Sequence, residues 1–308
     1  MKKTYRKKTG WDYTFVEDVP AQYFTTPSNE TPVRIILGDT RNEIKKIPDN
    51  TFQTAITSPP YWGLRDYKHD QQIGAEPIIT DYIRNLVSVF REVRRVLRPD
   101  GTFWLNIANC YTSGGRKWRQ SDRKNKGRAM SYRPDTPEGL KKKDLIGVAW
   151  MLAIALQLDG WYLRSDIIWY KPNCQPESVK DRVTNSHEYL FMFSKSEKYF
   201  FNQEAIKEPA VNGKEYKNKR SVWMINTEPC PETHYAVFPK ELVRPCVLAG
   251  SRQDDTVFDP FFGTGTVGAV ALETGRRCVG IELKRDYIMI AERKLKSIQP
   301  ALFTNLLI

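Results

Sequence analysis

The run Thr256-Val257-Phe258-Asp259-Pro260-Phe261-Phe262-Gly263-Thr264-Gly265-Thr266-Val267-Gly268 constrains this chain more than any other stretch. A short β-branched strand enters a glycine turn, and a helical pattern from Thr266 to Thr274 leaves it. Gly263, Gly265 and Gly268 form G-x-G-x-x-G, which lets a backbone approach a ligand closely. Arg277 to Glu282 reads as the next strand, and Glu282 ends it nineteen residues after Gly263. A carboxylate there can accept hydrogen bonds from both hydroxyls of a ribose. Asp259, just before the turn, suits an ammonium or sulfonium better than a pyrophosphate. Fewer than forty residues follow Glu282. A sheet built around this turn therefore draws its other strands from the N-terminal side, in a permuted order. That order sets the C-terminal unit beside Val33–Leu37 and sets the strand before Asp259 beside the strand before Ser58.

Seven strands are expected: Val33 to Leu37, Gln53 to Thr57, Thr102 to Ile107, Leu163 to Tyr170, Glu188 to Phe193, Thr256 to Phe258 and Arg277 to Glu282. Helical periodicity marks Asp81 to Leu97, stopped by Pro99-Asp100-Gly101. It also marks Leu145 to Leu158, a segment opening at Pro239, and Arg285 to Lys296. Alternation of this kind predicts an α/β fold with a doubly wound, Rossmann-like sheet. Residues 1–30 read as an N-terminal arm and 31–308 as one domain, with insertions at about 110–145 and 201–235.

The strand ending at Thr57 runs into Ser58-Pro59-Pro60-Tyr61. Two prolines end a strand firmly, because neither donates to the ladder. In the permuted sheet this turn shares a crevice with the glycine turn, at the carboxyl ends of the central strands. Such a turn suits chemistry on an exocyclic amine, whose lone pair is delocalised into its ring. Ser58 Oγ and the Pro59 carbonyl supply two acceptors for the N–H bonds, favouring a tetrahedral nitrogen with its lone pair exposed. Tyr61 offers a flat face for stacking, tolerant of developing positive charge. The step needs no strong base, so His187 and His234 are expected to be structural.

Charge points to a polyanion. Lys plus Arg is 48 and Asp plus Glu is 36, a formal net charge of +12. The excess clusters: Ser113 to Lys143 holds eleven Lys/Arg against three Asp/Glu. Arg116, Lys117, Trp118, Arg119, Arg123 and Lys124 lie in this stretch and are the candidate DNA contacts. Trp118 and Trp223 are read either as DNA-stacking surfaces or as covers for small satellite cores. The five cysteines form no C-x-x-C pair, so no metal site or disulfide framework is expected, and a cytoplasmic location is. No window approaches the ~18 apolar residues of a membrane span.

These motifs, in this order, resemble the permuted class of amino-group DNA methyltransferases. The match includes Gly38-Asp39, Thr57 to Tyr61, Asp166 to Asn173, Ser186 to Tyr189, Phe238 to Leu242, Asp259 to Gly265 and Gly280 to Glu282. The resemblance implies S-adenosyl-L-methionine as cofactor, double-stranded DNA as partner, base flipping and a seven-stranded sheet. It implies that Ser58, Pro59, Pro60 and Tyr61 hold the target base. Asp259, Phe261, Gly263 and Gly265 would line the methionine end of the cofactor. Glu282 would take the ribose, Asp39 would lie near the adenine, and Phe238 and Pro239 would close over the cofactor. Serine at the first catalytic position is similar to the cytosine-N4 enzymes, with adenine N6 as the alternative.

A nicotinamide-dependent oxidoreductase is the reading from another class, and it leaves Ser58 to Tyr61 unexplained. Cytosine-C5 chemistry needs a cysteine nucleophile in a loop, and Pro245-Cys246 falls inside a predicted helix. A cognate restriction endonuclease and the oligomeric state, a homodimer included, stay open at this point.

Overall fold

The computed structural model describes residues 32–64, 66–67, 69–112, 133–210, 215–229 and 236–298. The N-terminal arm, the basic residues 116–124 with Trp118, and His234 lie outside them.

The central sheet has eight strands: β1 (Val33–Leu37), β2 (Phe52–Thr57), β3 (Leu97–Ile107), β4 (Tyr162–Tyr170), β5 (His187–Ser194), β6 (Val222–Met224), β7 (Thr256–Asp259) and β8 (Arg277–Glu282). Their spatial order is β1-β8-β7-β2-β3-β5-β4-β6. The expected permutation is present. β1 pairs parallel with β8, from Val33 opposite Cys278 to Leu37 opposite Glu282. β7 pairs parallel with β2, Val257 opposite Thr54 and Phe258 opposite Ala55. Only β5 runs antiparallel to its neighbours. All seven expected strands occur, and β6 is an eighth, a three-residue edge strand parallel to β4.

Two boundaries lie more than two residues from expectation. β3 begins at Leu97, directly after the preceding helix, because Leu97 pairs with Phe52 before a register shift absorbs Pro99-Asp100-Gly101. Leu145–Ile146 is not helical. It forms a two-stranded ribbon with Cys110–Tyr111 that closes the base of the basic insertion.

Helices cover both faces. α1 (Ile79–Val96) and α2 (Val148–Leu158) pack on one face, where Tyr82, Leu86, Phe90, Leu152 and Leu156 are fully buried against Phe103 and Phe193. α3 (Lys240–Gly250), α4 (Thr266–Glu273) and α5 (Arg285–Lys296) cover the other, around Val247, Val257, Val270 and Ile288. Each large apolar side chain so buried contributes about 1.5–3 kcal/mol. Helices on both faces leave the carboxyl ends of β1, β8, β7, β2 and β3 as the edge on which ligands bind in such sheets.

Candidate active site

The two turns meet where β7 lies against β2. Thr57 Oγ1, at the end of β2, donates to Asp259 Oδ1, at the end of β7, over 2.6 Å. The Phe261 amide donates to the same oxygen at 3.0 Å. Asp259 is fully buried, and its Oδ2 has no hydrogen-bond partner among the described residues. Burial, partly offset by Thr57 and Phe261, pushes its carboxyl up to about 7. An orphaned carboxylate oxygen is costly unless a donor reaches it. The ammonium of an amino-acid ligand supplies both the donor and the opposite charge.

Glu282 stands on the other side of the glycine turn. Its Oε2 accepts from the Gly263 amide and its Oε1 from the Lys284 amide, both at 2.8 Å. Burial raises its carboxyl to about 6. Each carboxylate oxygen keeps a further acceptor position, as recognition of a ribose diol needs.

The three glycines divide their work. Gly263 has φ +53, and among the described residues a Cβ there would find only the Phe261 carbonyl, at 3.9 Å, so this position is open. Gly268 is not. A Cβ at Gly268 would lie 2.7 Å from the Phe262 ring, and one at Gly265 would lie 2.9 Å from Ala291 Cβ. At these two positions the missing side chain makes room for the packed core, while the Gly265 backbone, whose amide donates to the Phe262 carbonyl at 2.9 Å, remains part of the turn. Gly280 completes the slot, since its Cβ would fall 2.1 Å from Phe262 Cδ2.

Asp39 ends its loop beside Glu282, where the Gly38 amide donates to the Glu282 carbonyl at 3.0 Å. Its carboxylate caps the short helix Thr40–Glu43 and is gripped by the Arg41 guanidinium. Phe261 meets Phe90 edge-on, centroids 6.3 Å apart. Pro239 is buried at the N-cap of α3, and Phe238 packs partly buried against the second core.

In the Ser-Pro-Pro-Tyr turn, the Pro60 carbonyl accepts from the Tyr82 hydroxyl at 2.8 Å, which pins the turn to α1. Ser58 Oγ lies 3.4 Å from the Tyr61 hydroxyl. That hydroxyl donates to Glu188 Oε2 at 2.6 Å. Burial, and then the Glu188 charge, hold the Tyr61 phenol well above its usual range, so it remains protonated.

Glu188 also accepts from Asn106 Nδ2 at 3.1 Å and forms an ion pair with Lys171. The Lys171 ammonium sits 4.4 Å from the centroid of the Trp169 ring. No role was drawn from the sequence for Glu188, Lys171 or Asn106. The available signal was two charged residues at the ends of apolar strands, Lys171 closing one and Glu188 opening the next. Trp223 is buried, with its indole N–H donated to the Arg220 carbonyl, so it covers core and does not offer a stacking face. Among the described residues no cluster could hold a metal, and no helix is long and apolar enough to cross a membrane.

Comparison with known proteins gives the family, and solved structures share the fold. The DNA methylase family of the N6/N4 type matches residues 52–293. The chain belongs to that family. Its reaction is methylation of an exocyclic amine in DNA, and S-adenosylmethionine supplies the electrophilic methyl group. The chain is 61% identical over 269 residues to type II methyltransferase M.SmaI of Serratia marcescens, covering 87% of this chain and 92% of that one. It is 54% identical over 259 residues to type II methyltransferase M.Cfr9I of Citrobacter freundii, covering 84% and 86%. In fold it is similar to the PvuII cytosine-N4-specific DNA methyltransferase, with a TM-score of 0.65 at 19% identity over 89% of this chain and 90% of that one. The putative DNA modification methylase TTHA0409 of Thermus thermophilus, in complex with S-adenosyl-L-methionine, gives a TM-score of 0.56 at 22% identity over 85% and 93%.

Proposed function

We propose that this methylase acts on the N4 amine of a cytosine flipped out of duplex DNA. The observation that carries the reading is Ser58 at the mouth of the turn, tied through its neighbour Thr57 to Asp259. A serine there resembles the cytosine-N4 enzymes, and the fold neighbour named cytosine-N4-specific supports the same base.

Roles follow from position. Asp259 holds the ammonium of the methyl donor through Oδ2, and Glu282 holds its ribose. Asp39 lies near the adenine, while Phe261, Gly263 and Gly265 line the methionine end. Phe238 and Pro239 close over the donor. Ser58 Oγ and the Pro59 carbonyl accept from the two N–H bonds of the target amine, in a turn whose rigidity lowers the reorganisation needed. Pro60 stiffens that turn, and Tyr61 stacks on the flipped base. The released amino proton leaves to water. Residues 31–308 act as one domain, and the insertions at about 110–145 and 201–235 read the DNA sequence. Arg116, Lys117, Trp118, Arg119, Arg123 and Lys124 contact DNA. The type II designation of the relatives supports a cognate restriction endonuclease as a functional partner.

The test is to incubate the protein with unmethylated DNA and S-adenosylmethionine, digest to nucleosides and identify the product by mass spectrometry. N4-methylcytosine is expected. N6-methyladenine would keep the chemistry and overturn the base assignment.

A further inference from the structure

The Glu188–Lys171 pair is an expensive feature for a methylase site. Both side chains are largely buried, with 14% and 16% of their surface exposed. Hydrophobic residues commonly replace such pairs without loss of stability, so the pair calls for another reason. Its surroundings supply one. The Tyr61 hydroxyl has a single proton and, among the described residues, three hydrogen-bonding neighbours: Glu188 Oε2 at 2.6 Å, Asn106 Oδ1 at 3.3 Å and Ser58 Oγ at 3.4 Å. Glu188 Oε2 and Asn106 Oδ1 can only accept. The phenol proton therefore points to Glu188, and the phenol oxygen is left as an acceptor toward Ser58. The Ser58 proton then points back to Tyr61. What remains on Ser58 Oγ, facing the crevice, is lone-pair density.

We propose that Glu188, held in place by Lys171 and by the Asn106 amide, is a positioning residue that sets the direction of the chain Ser58→Tyr61→Glu188, so that Ser58 meets the target amine as an acceptor only. Lys171 fixes the carboxylate by pairing with its other oxygen, Oε1. Asn106 Nδ2 steadies Oε2 and also donates to the Tyr189 carbonyl at 3.1 Å, tying the cluster to β5. Successive hydroxyls aligned in one direction polarise one another, which strengthens the terminal acceptor. The 3.4 Å step is long for a hydroxyl pair, and catalytic hydrogen bonds of this kind tighten once substrate is bound. A serine free to rotate would spend part of its time donating toward the amine nitrogen and engaging the lone pair that must attack. The inference rests on the amine-methylating reading of the site.

The experiment compares wild-type protein with Glu188→Gln, Tyr61→Phe, Ser58→Ala and their combinations, using single-turnover methylation of DNA with saturating S-adenosylmethionine. A glutamine amide can donate to the Tyr61 oxygen and so reverse the chain. Tyr61→Phe keeps the stacking ring and deletes the link. Each of these two changes is expected to slow methylation about tenfold. Dissociation constants for DNA and donor should stay within about twofold. The effects should not multiply. Glu188→Gln should add no more than about twofold on top of Tyr61→Phe, and neither should add more than that on top of Ser58→Ala.

Losses that multiply, or a Glu188→Gln protein at wild-type rate, overturn the proposal. Should Glu188→Gln prove unfolded by its melting curve, the Tyr61→Phe and Ser58→Ala pair decides alone, because multiplicative losses there overturn the chain. A wild-type protein that methylates no exocyclic amine overturns the functional reading and this inference with it. Variants matching an active wild type overturn only this inference.

Discussion

Thr57 Oγ1 and Asp259 Oδ1 are 2.6 Å apart although 202 residues separate them in sequence. The bond joins the last residues of two adjacent parallel strands, one leading to the serine turn and the other to the glycine turn. It consumes the oxygen of Asp259 that also accepts from Phe261 and turns the unpartnered Oδ2 outward from this pair of contacts. The same strand pairing that builds the core thus fixes the orientation of the carboxylate proposed to hold the methyl donor.

Replacing that carboxylate tests the arrangement. Asp259→Asn should lower affinity for S-adenosylmethionine at least tenfold, since a hydrogen bond to a charged group contributes about 1.5–3 kcal/mol. The ligand-free protein should melt no lower than wild type, because the substitution removes a buried charge. Calorimetric titration beside a thermal melt checks both. Unchanged affinity would mean that the ammonium binds elsewhere.

The raised carboxyls of Asp259, at about 7, and Glu282, at about 6, make stability and binding depend on pH in opposite senses. Between the unfolded value near 4 and these folded values, the folded protein holds more protons than the unfolded chain. Ligand-free stability is therefore greatest in acid over this window and declines as pH rises from about 4 to 7. The cationic donor needs an ionised Asp259, so its affinity should climb between pH 5 and 8. Melting curves with and without S-adenosylmethionine across that range should show a ligand-induced shift that grows with pH. A shift that is constant or shrinks would contradict the role given to Asp259.

Much of this site was legible in the sequence because its parts are local. A strand, a glycine turn and an acidic strand end lie within Thr256 to Glu282, and the serine turn follows its strand directly. The order of the two turns, serine before glycine, agrees with the permuted sheet that places β8 beside β1 and β7 beside β2. What stayed hidden depends on pairings between distant segments. Lys171 reaches Glu188, and Glu188 reaches Tyr61, only because β5 and β4 pair antiparallel, Trp169 opposite Glu188, and because β5 also lies against β3, which carries Asn106. The packing role of Gly268 stayed hidden for a related reason. A glycine that clears a ligand and one that clears a phenylalanine look alike until the ring of Phe262 is in place.

That ring gives a test of the turn's support. Phe262 is buried and fills the slot beside Gly280, Gly265 and Gly268. Gly280→Ala would put a Cβ 2.1 Å from Phe262 Cδ2, a contact that a rigid ring within a packed core cannot absorb. Overpacking of this kind costs about 1–3 kcal/mol. Urea denaturation should show the loss, and donor affinity should fall with it because Phe262 belongs to the turn that carries Gly263. Trimming the ring in Gly280→Ala/Phe262→Leu should recover part of both. If the double variant is as poor as the two single losses added together, the steric explanation fails.

The proposed role of the basic segment is tested by a different quantity, the salt dependence of DNA binding. Each phosphate neutralised by Lys or Arg releases counterions, and log K falls with log salt at a slope of about 0.9 per contact. Replacing Arg116, Lys117 and Arg119 together with alanine should weaken binding to specific and non-specific duplexes alike and flatten that slope by up to about 3. Donor binding should be untouched, because the hydrogen bonds described for Asp259 and Glu282 come from Thr57, Phe261, Gly263 and Lys284. Fluorescence anisotropy over a range of salt concentrations separates the possibilities. A weaker complex with an unchanged slope would place these side chains at base edges and not at phosphates. Unchanged affinity and slope would move the DNA-binding surface away from this segment, toward residues 201–235.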